Sequence, residues 1–374
     1  MHFTLFASLA AFAGVAVAAP TGYTISADDG FPNPSPAQLQ VISETADGSL
    51  SNAPPPAKLN ESSFPVFQLI RHNENFEVAF FDSLLYNITN NVPGFTMKNS
   101  KKRDELLDIV RTIKAQEELH SINAGKVLDN FKVFNPPPCK YQFPTTTIVD
   151  ALALADRFTD VVLGTLQTAA LTLARNGDAG TVRGVTSSLG QEGQQSGFYR
   201  ILLAKKPSEK PFLTTNLAPF AFTALQQFIV SCPFDLKQIP IDTFPPLNVL
   251  TGNNGFNVEP RDQHLSFSVD FTGVSAADKY IGGNGDGLFI TYFTGQLLPV
   301  SVPLVNPRWT GRAVTFEAQF PFVENIMDGL SIASLTTRNN FASPDEVVSS
   351  KAVLAAPGFI QADDRVKSWD GMKL

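Results

Sequence analysis

For most of its first two thirds the chain repeats apolar residues every three to four positions, and after Pro233 every second position. The first spacing marks helices with one buried face, the second marks strands. From Pro65 to about Asn90, Phe67, Ile70, Phe81 and Leu84 share a face with Glu74 and Glu77, Pro65 suits a first helical turn, and Pro93-Gly94 ends the segment. A second helix is expected from about Asp104 to Phe131, on a stripe of Leu106, Ile109, Ile113, Ala124, Val127 and Phe131, stopped by Pro136-Pro137-Pro138. A third, Thr147 to Arg175, carries Ile148, Leu152, Ala155, Val162, Leu166, Ala169 and Leu173 and ends at Asn176-Gly177. The fourth, Ala179 to Ala204, has Val182, Val185, Leu189, Glu192, Tyr199 and Leu202, with Gly190, Gly193 and Gly197 weakening it. A shorter helix is expected over Pro219 to Val230.

Strict alternation in His264–Phe271 and Ala313–Phe320, with apolar runs at Leu288–Phe293, Leu297–Val305, Leu330–Leu335 and Val353–Ile360, predicts a second, all-β domain of sandwich type. The fold class is therefore α+β: a helical domain over residues 63–235, then a β-domain over 236–362 and a tail over 363–374. Residues 19–62 are rich in Pro, Ser and Ala with little periodicity, and read as a flexible or extended leader.

Composition sharpens this picture. The 374 residues are 43% hydrophobic and 17% charged, enough for a sizeable core, and the net charge of −7 with no basic run longer than Lys101-Lys102-Arg103 argues against a nucleic-acid partner. That run reads as the solvated start of a helix rather than a dibasic processing site. An apolar run from Phe3 to Val17, with the small residues Ala16-Val17-Ala18 at its end, has the form of a signal peptide over residues 1–18, cleaved after Ala18. No later stretch is long enough to span a membrane, so the expectation is a secreted protein of the extracellular space or cell wall. In an oxidising compartment the two cysteines, Cys139 and Cys232, most simply form one disulfide, two buried free thiols being the alternative. The sequons at Asn60 and Asn87 agree with export.

Chemistry concentrates on the helical stripes. Glu117 and His120 lie one turn apart on a core-facing stripe, where an acid and an imidazole are costly unless paired or bound to a metal. Glu74 and Glu77 on the first helix and Glu192 with Gln195 on the fourth bring further acids inward, and a cation or a buried hydrogen-bond network would relieve their repulsion. Carboxylate and imidazole suit iron and manganese. His72 and His264 read as surface residues, and Gly282–Gly287 as a hairpin or mobile loop rather than a calcium or phosphate site. No Gly-x-Ser-x-Gly elbow, P-loop or dinucleotide fingerprint occurs.

The segments Asn73–Phe81, Glu117-x-x-His120, Gly190–Gln195 with Phe198-Tyr199-Arg200, Cys139–Pro144, Ser231-Cys232-Pro233 and Ala355-Ala356-Pro357 resemble the secreted ferritin-like family of fungal late-sexual-development and stress-response proteins, over roughly residues 63–362. The resemblance implies a ferritin-like four-helix bundle with Glu74 as first-helix ligand, Glu77 as a nearby acid, Glu117 and Glu192 as bridging acids and His120 as their partner. It also exposes departures. Asp156 is the best stand-in for a third-helix glutamate, Gln195 stands where a second histidine belongs, and Phe81 stands where a tyrosine often follows. The implied function is a non-enzymatic secreted protein with a degenerate metal site, associated with sexual development or stress. Its expected contacts are cell-wall components, a secreted partner or a second copy of itself. An iron- or manganese-dependent oxidoreductase or iron-handling protein is the alternative, and carbohydrate binding by the β-domain rests on fold analogy alone.

Overall fold

The computed structural model describes residues 22–362 and 365–366. The signal-peptide reading and most of the tail lie outside the described residues. The four long helical patterns form α2 (Phe64–Thr89), α3 (Ser100–Asn130), α4 (Ile148–Arg175) and α5 (Ala179–Leu202), after a shorter α1 (Pro36–Thr45) and before α6 (Ala218–Gln226). Helix α3 starts earlier than its stripe predicts because the Asn99 side chain accepts from the Lys102 amide, which places the basic run in the first turn. Its inward face is Leu106, Leu107, Val110 and Ile113, whereas Ile109 is exposed.

α2 packs on α3 and α4 on α5, and one apolar core joins the two pairs. Its centre is aromatic: Phe80 meets Phe158 edge-on at 4.9 Å between ring centroids, and Phe76 meets Phe158 at 5.4 Å. Beyond α6 the chain does not stay helical to Val230. Ile229–Ser231 forms β2, paired with β1 (Lys140–Tyr141), and the Cys139–Cys232 disulfide lies beside this pair. It joins residues 93 positions apart, worth about 4.6 kcal/mol of denatured-state entropy in the chain-entropy model.

The leader is not featureless. Ser35 and Gln38 form a reciprocal capping box with Pro36 in the first turn, so α1 is a well-started helix. Phe31, Ile42 and Ala46 are buried, Ile42 and Ala46 against Ala115 and Leu119 of α3. Lys114 fastens this segment through Asp29 at 2.6 Å while also pairing with Glu118 at 2.9 Å.

Among the described residues the β-rich domain is a single antiparallel sheet of seven strands rather than the expected pair of facing sheets. β3 (Asn248–Val249), β4 (Gln263–Asp270), β5 (Phe289–Thr294), β6 (Val300–Thr310), β7 (Ala313–Phe320), β8 (Leu330–Thr336) and β9 (Val353–Gln361) run in the order β3-β4-β7-β6-β5-β8-β9. Beside the two edges, the amide of Val258 donates to the Gln361 carbonyl and that of Gln361 to Gly255, which brings the sheet close to closure. β4 and β7 alternate between buried and accessible positions, whereas every residue of β8 is buried. The difference has a cause: Phe293, Leu330, Ile332, Val353 and Ala356 pack outward on Val161 of α4 and Phe220 of α6, so these strands are covered on both faces. No helix among the described residues is long and apolar enough to cross a membrane.

A buried ionic network ties α5 to α4 and to the sheet. The Arg200 guanidinium, 1% exposed, lies 3.7 Å from Glu209, 3.9 Å from Asp156 and 4.0 Å from Asp160, and its Nε donates to the Lys206 carbonyl. Glu209 in turn accepts from the Leu330 amide at the start of β8. Cross-linked in this way, the lower half of α5 is held in a fixed rotation about its axis.

Candidate metal centre

Three helices supply one site. Glu74 comes from the middle of α2, Glu117 and His120 from successive turns of α3, and Glu192 from α5, and one ligand atom from each lies within 4.8 Å of the other three. Spacing of three on α3 directs both side chains the same way. His120 Nδ1 faces all three acids, 2.9 Å from Glu117 Oε2, 3.6 Å from Glu74 Oε2 and 3.9 Å from Glu192 Oε1.

All three acids are essentially out of water, each at 1% exposure or less. Yet Glu74 Oε2 and both oxygens of Glu192 have no hydrogen-bond partner among the described residues. Burial, moderated by His120 and reinforced by the neighbouring Glu117, pushes the Glu74 carboxyl up to about 7. Burial raises Glu192 well above the carboxylate range, and the charges of Glu74 and Glu117 add to it. On His120 burial pulls downward, but the charge and hydrogen bond of Glu117 and the nearby Glu74 carboxylate outweigh it, and its pKa stands well above the ordinary imidazole value. Unpartnered, proton-retaining carboxylates around an imidazole nitrogen are the electrostatic signature of a site that fits a cation. Three hard oxygen donors and one nitrogen match iron or manganese.

The remaining candidates take other places. Glu77 is buried and raised in pKa by burial and by Glu117, Glu192 and Glu74, but it is not one of the four converging groups. Gln195 does not present itself as a free ligand. Its Nε2 donates to Glu117 Oε1 at 2.6 Å, so the side chain that stands where a second histidine is expected instead orients the first acid. Asp156 points away into the ionic network, 2.7 Å from Lys205 Nζ. His264 is exposed as expected, but His72 is not: it is 0% exposed, its ring edge-on to Phe222 and Phe234, and burial lowers its pKa to about 4. Asn60 is exposed, its side chain accepting from Ser62, and Asn87 is half-buried in the last turns of α2.

Two further residues support the site. Gln116, next to Glu117, accepts from Gln191 Nε2 at 2.8 Å and from Gln195 Nε2 at 3.3 Å, and its own amide reaches the Ala46 carbonyl at the end of α1. Tyr199, one turn beyond Gln195, is buried with its hydroxyl 3.5 Å from Gln195 Oε1. Gln116 itself is not singled out by the sequence; its trace there is that Gln116 and its partner Gln191 each immediately precede a site glutamate. A scan against protein-family models finds no match to this chain, and a search of curated proteins finds no relative.

Proposed function

We propose that this chain is a secreted protein of the fungal ferritin-like type whose helical domain, a four-helix bundle, holds one iron or manganese ion at Glu74, Glu117, His120 and Glu192. One observation carries the reading: Glu192 and Glu74 bury three carboxylate oxygens without a hydrogen-bond partner among the described residues, and one oxygen of each acid lies within 4 Å of His120 Nδ1. A buried acid in that state costs several kcal/mol unless it keeps its proton or meets a cation.

The surroundings support one ion rather than two. The Gln195 amide is committed as a donor to Glu117, and Asp156 is neutralised by Lys205, so the second half of a paired site lacks its ligands. Bound there, the ion would supply Lewis acidity and a one-electron couple. Glu117 is fixed by Gln195 on one oxygen and by His120 on the other, which leaves Glu74 and Glu192 as the adaptable ligands. The disulfide agrees with an oxidising compartment. Association with development or stress, and contact of the sheet domain with a wall component or secreted partner, rest on the sequence resemblance.

Elemental analysis of protein purified from its native secretome tests the reading. One iron or manganese per chain, lost in Glu192→Gln, is the expected result. Metal-free native protein that also takes up neither ion on dialysis would leave a self-neutralised acid and imidazole cluster as the correct description.

A further inference from the structure

A cavity of about 20 Å³, room for about one water molecule, ends on Glu74 and His120. Its walls are Phe67 and Ile70 of α2, Ala124 of α3, Leu166 of α4 and Val185 of α5, all apolar. Its outer rim is formed by Asn123 and Gly184, both exposed, and half-buried Ser188 one turn further along α5. Glu74, which lines the cavity and carries an unpartnered carboxylate oxygen, is 1% exposed, so the cavity leads to a buried polar residue rather than to a dead end.

Gly184 needs explaining. A glycine inside a helix costs about 1 kcal/mol relative to alanine. Packing accounts for Gly164 of α4, where a Cβ would stand 2.3 Å from the Thr214 carbonyl oxygen, but at Gly184 an added Cβ meets nothing within 4 Å. Gly180, one turn earlier, is equally unhindered but does not line the cavity. What Gly184 provides is an open mouth. Apolar walls with space for one or two heavy atoms disfavour anything charged, which would lose its hydration, and exclude anything larger.

We infer that the gap between Asn123 and Gly184 is the entry for the exogenous ligand of the metal centre, and that it restricts that ligand to an uncharged molecule of one or two heavy atoms. Gly184 is thereby a specificity-determining position. The inference rests on the metal-binding reading above.

Nitric oxide is a suitable probe, because it is uncharged, diatomic and reports its binding to ferrous iron by absorption. The full-length protein and the variants Gly184→Phe, Ser188→Leu and Gly180→Phe are loaded with ferrous iron, their iron content and helical circular dichroism recorded, and nitric oxide association followed by stopped flow. A ring at position 184 or a leucine at 188 is expected to slow association at least tenfold. Phenylalanine at 180 adds the same bulk to the same helix outside the mouth and is expected to stay within twofold of the parent. Either plug folding, binding iron and admitting nitric oxide at the parent rate overturns the entry while leaving the metal reading intact. So does equal slowing by Gly180→Phe. Failure of the parent itself to bind iron or manganese overturns the metal reading and the entry with it.

Discussion

Replacing Glu74 by glutamine should stabilise the metal-free protein and destabilise the metal-loaded one. In the metal-free fold the Glu74 carboxyl titrates near 7 against an ordinary value of 4.5, raised chiefly by burial. Between those values the folded chain keeps a proton that the unfolded chain has released. The stability associated with Glu74 is therefore complete below pH 4.5 and is lost as pH rises through 7. At about 1.36 kcal/mol per pH unit the loss is on the order of 3 kcal/mol, with no discount for solvent because the residue is 1% exposed. Glutamine has nearly the same shape and never ionises. Metal-free Glu74→Gln should accordingly exceed the parent by roughly 3 kcal/mol at pH 8, and the gap should close below pH 4.5. His72 titrates over part of the same range in the opposite sense, but it is present in both proteins and cancels in the difference. Saturating iron or manganese should invert the order, since the parent then gains binding energy that the variant partly lacks. Urea denaturation at four or five pH values, with chelator and with metal, measures both differences. A metal-free variant less stable than the parent at pH 8, or a difference that does not change with pH, would show that Glu74 is not a strained carboxylate.

Other outcomes follow from neighbouring residues. His72 has its pKa lowered to about 4 by burial, so its contribution is present above 6.5 and lost as pH falls through 4, up to roughly 3 kcal/mol; His72→Phe should remove that share of acid lability in thermal melts between pH 4 and 7. Gln195→Leu keeps the volume but withdraws the donor to Glu117 Oε1, and should weaken metal affinity by about 10- to 100-fold in competition titrations without abolishing binding. Gly94→Ala should cost several kcal/mol in chemical denaturation, because φ is +88° and the new Cβ would fall 1.9 Å from the Thr146 carbonyl oxygen.

How much of this was legible beforehand differs by element. The four long helices were, because a 3.6-residue repeat sustained over more than twenty positions is hard to mistake. Ile109 was misplaced because Leu106 and Ile113 belong equally well to a seam through Leu107 and Val110, and only the packing of α2 selects between them. Composition hid α1: Pro and Ser around it suggested an extended leader, although Ser35-Pro36-Ala37-Gln38 is a readable capping box. Strand alternation gave the two faces of β4 and β7 but not the pairing order, since a period of two says which side a residue faces and nothing about its neighbour strand. At the site, Glu74, Glu117, His120 and Glu192 were visible as acids and an imidazole on apolar stripes. The fates of Asp156 and His72 were not, because they depend on Lys205, Arg200, Phe222 and Phe234, partners supplied by segments 44 to 162 residues away.

Crystals of the full-length protein equilibrated with ferrous iron or manganese, with anomalous difference maps collected on either side of the metal's absorption edge, test the central claim most directly. A single peak bounded by the carboxylates of Glu74, Glu117 and Glu192 and by His120 Nδ1 is the expected result. Two peaks in that space, or none there in crystals whose solution counterpart is saturated with metal, would contradict it.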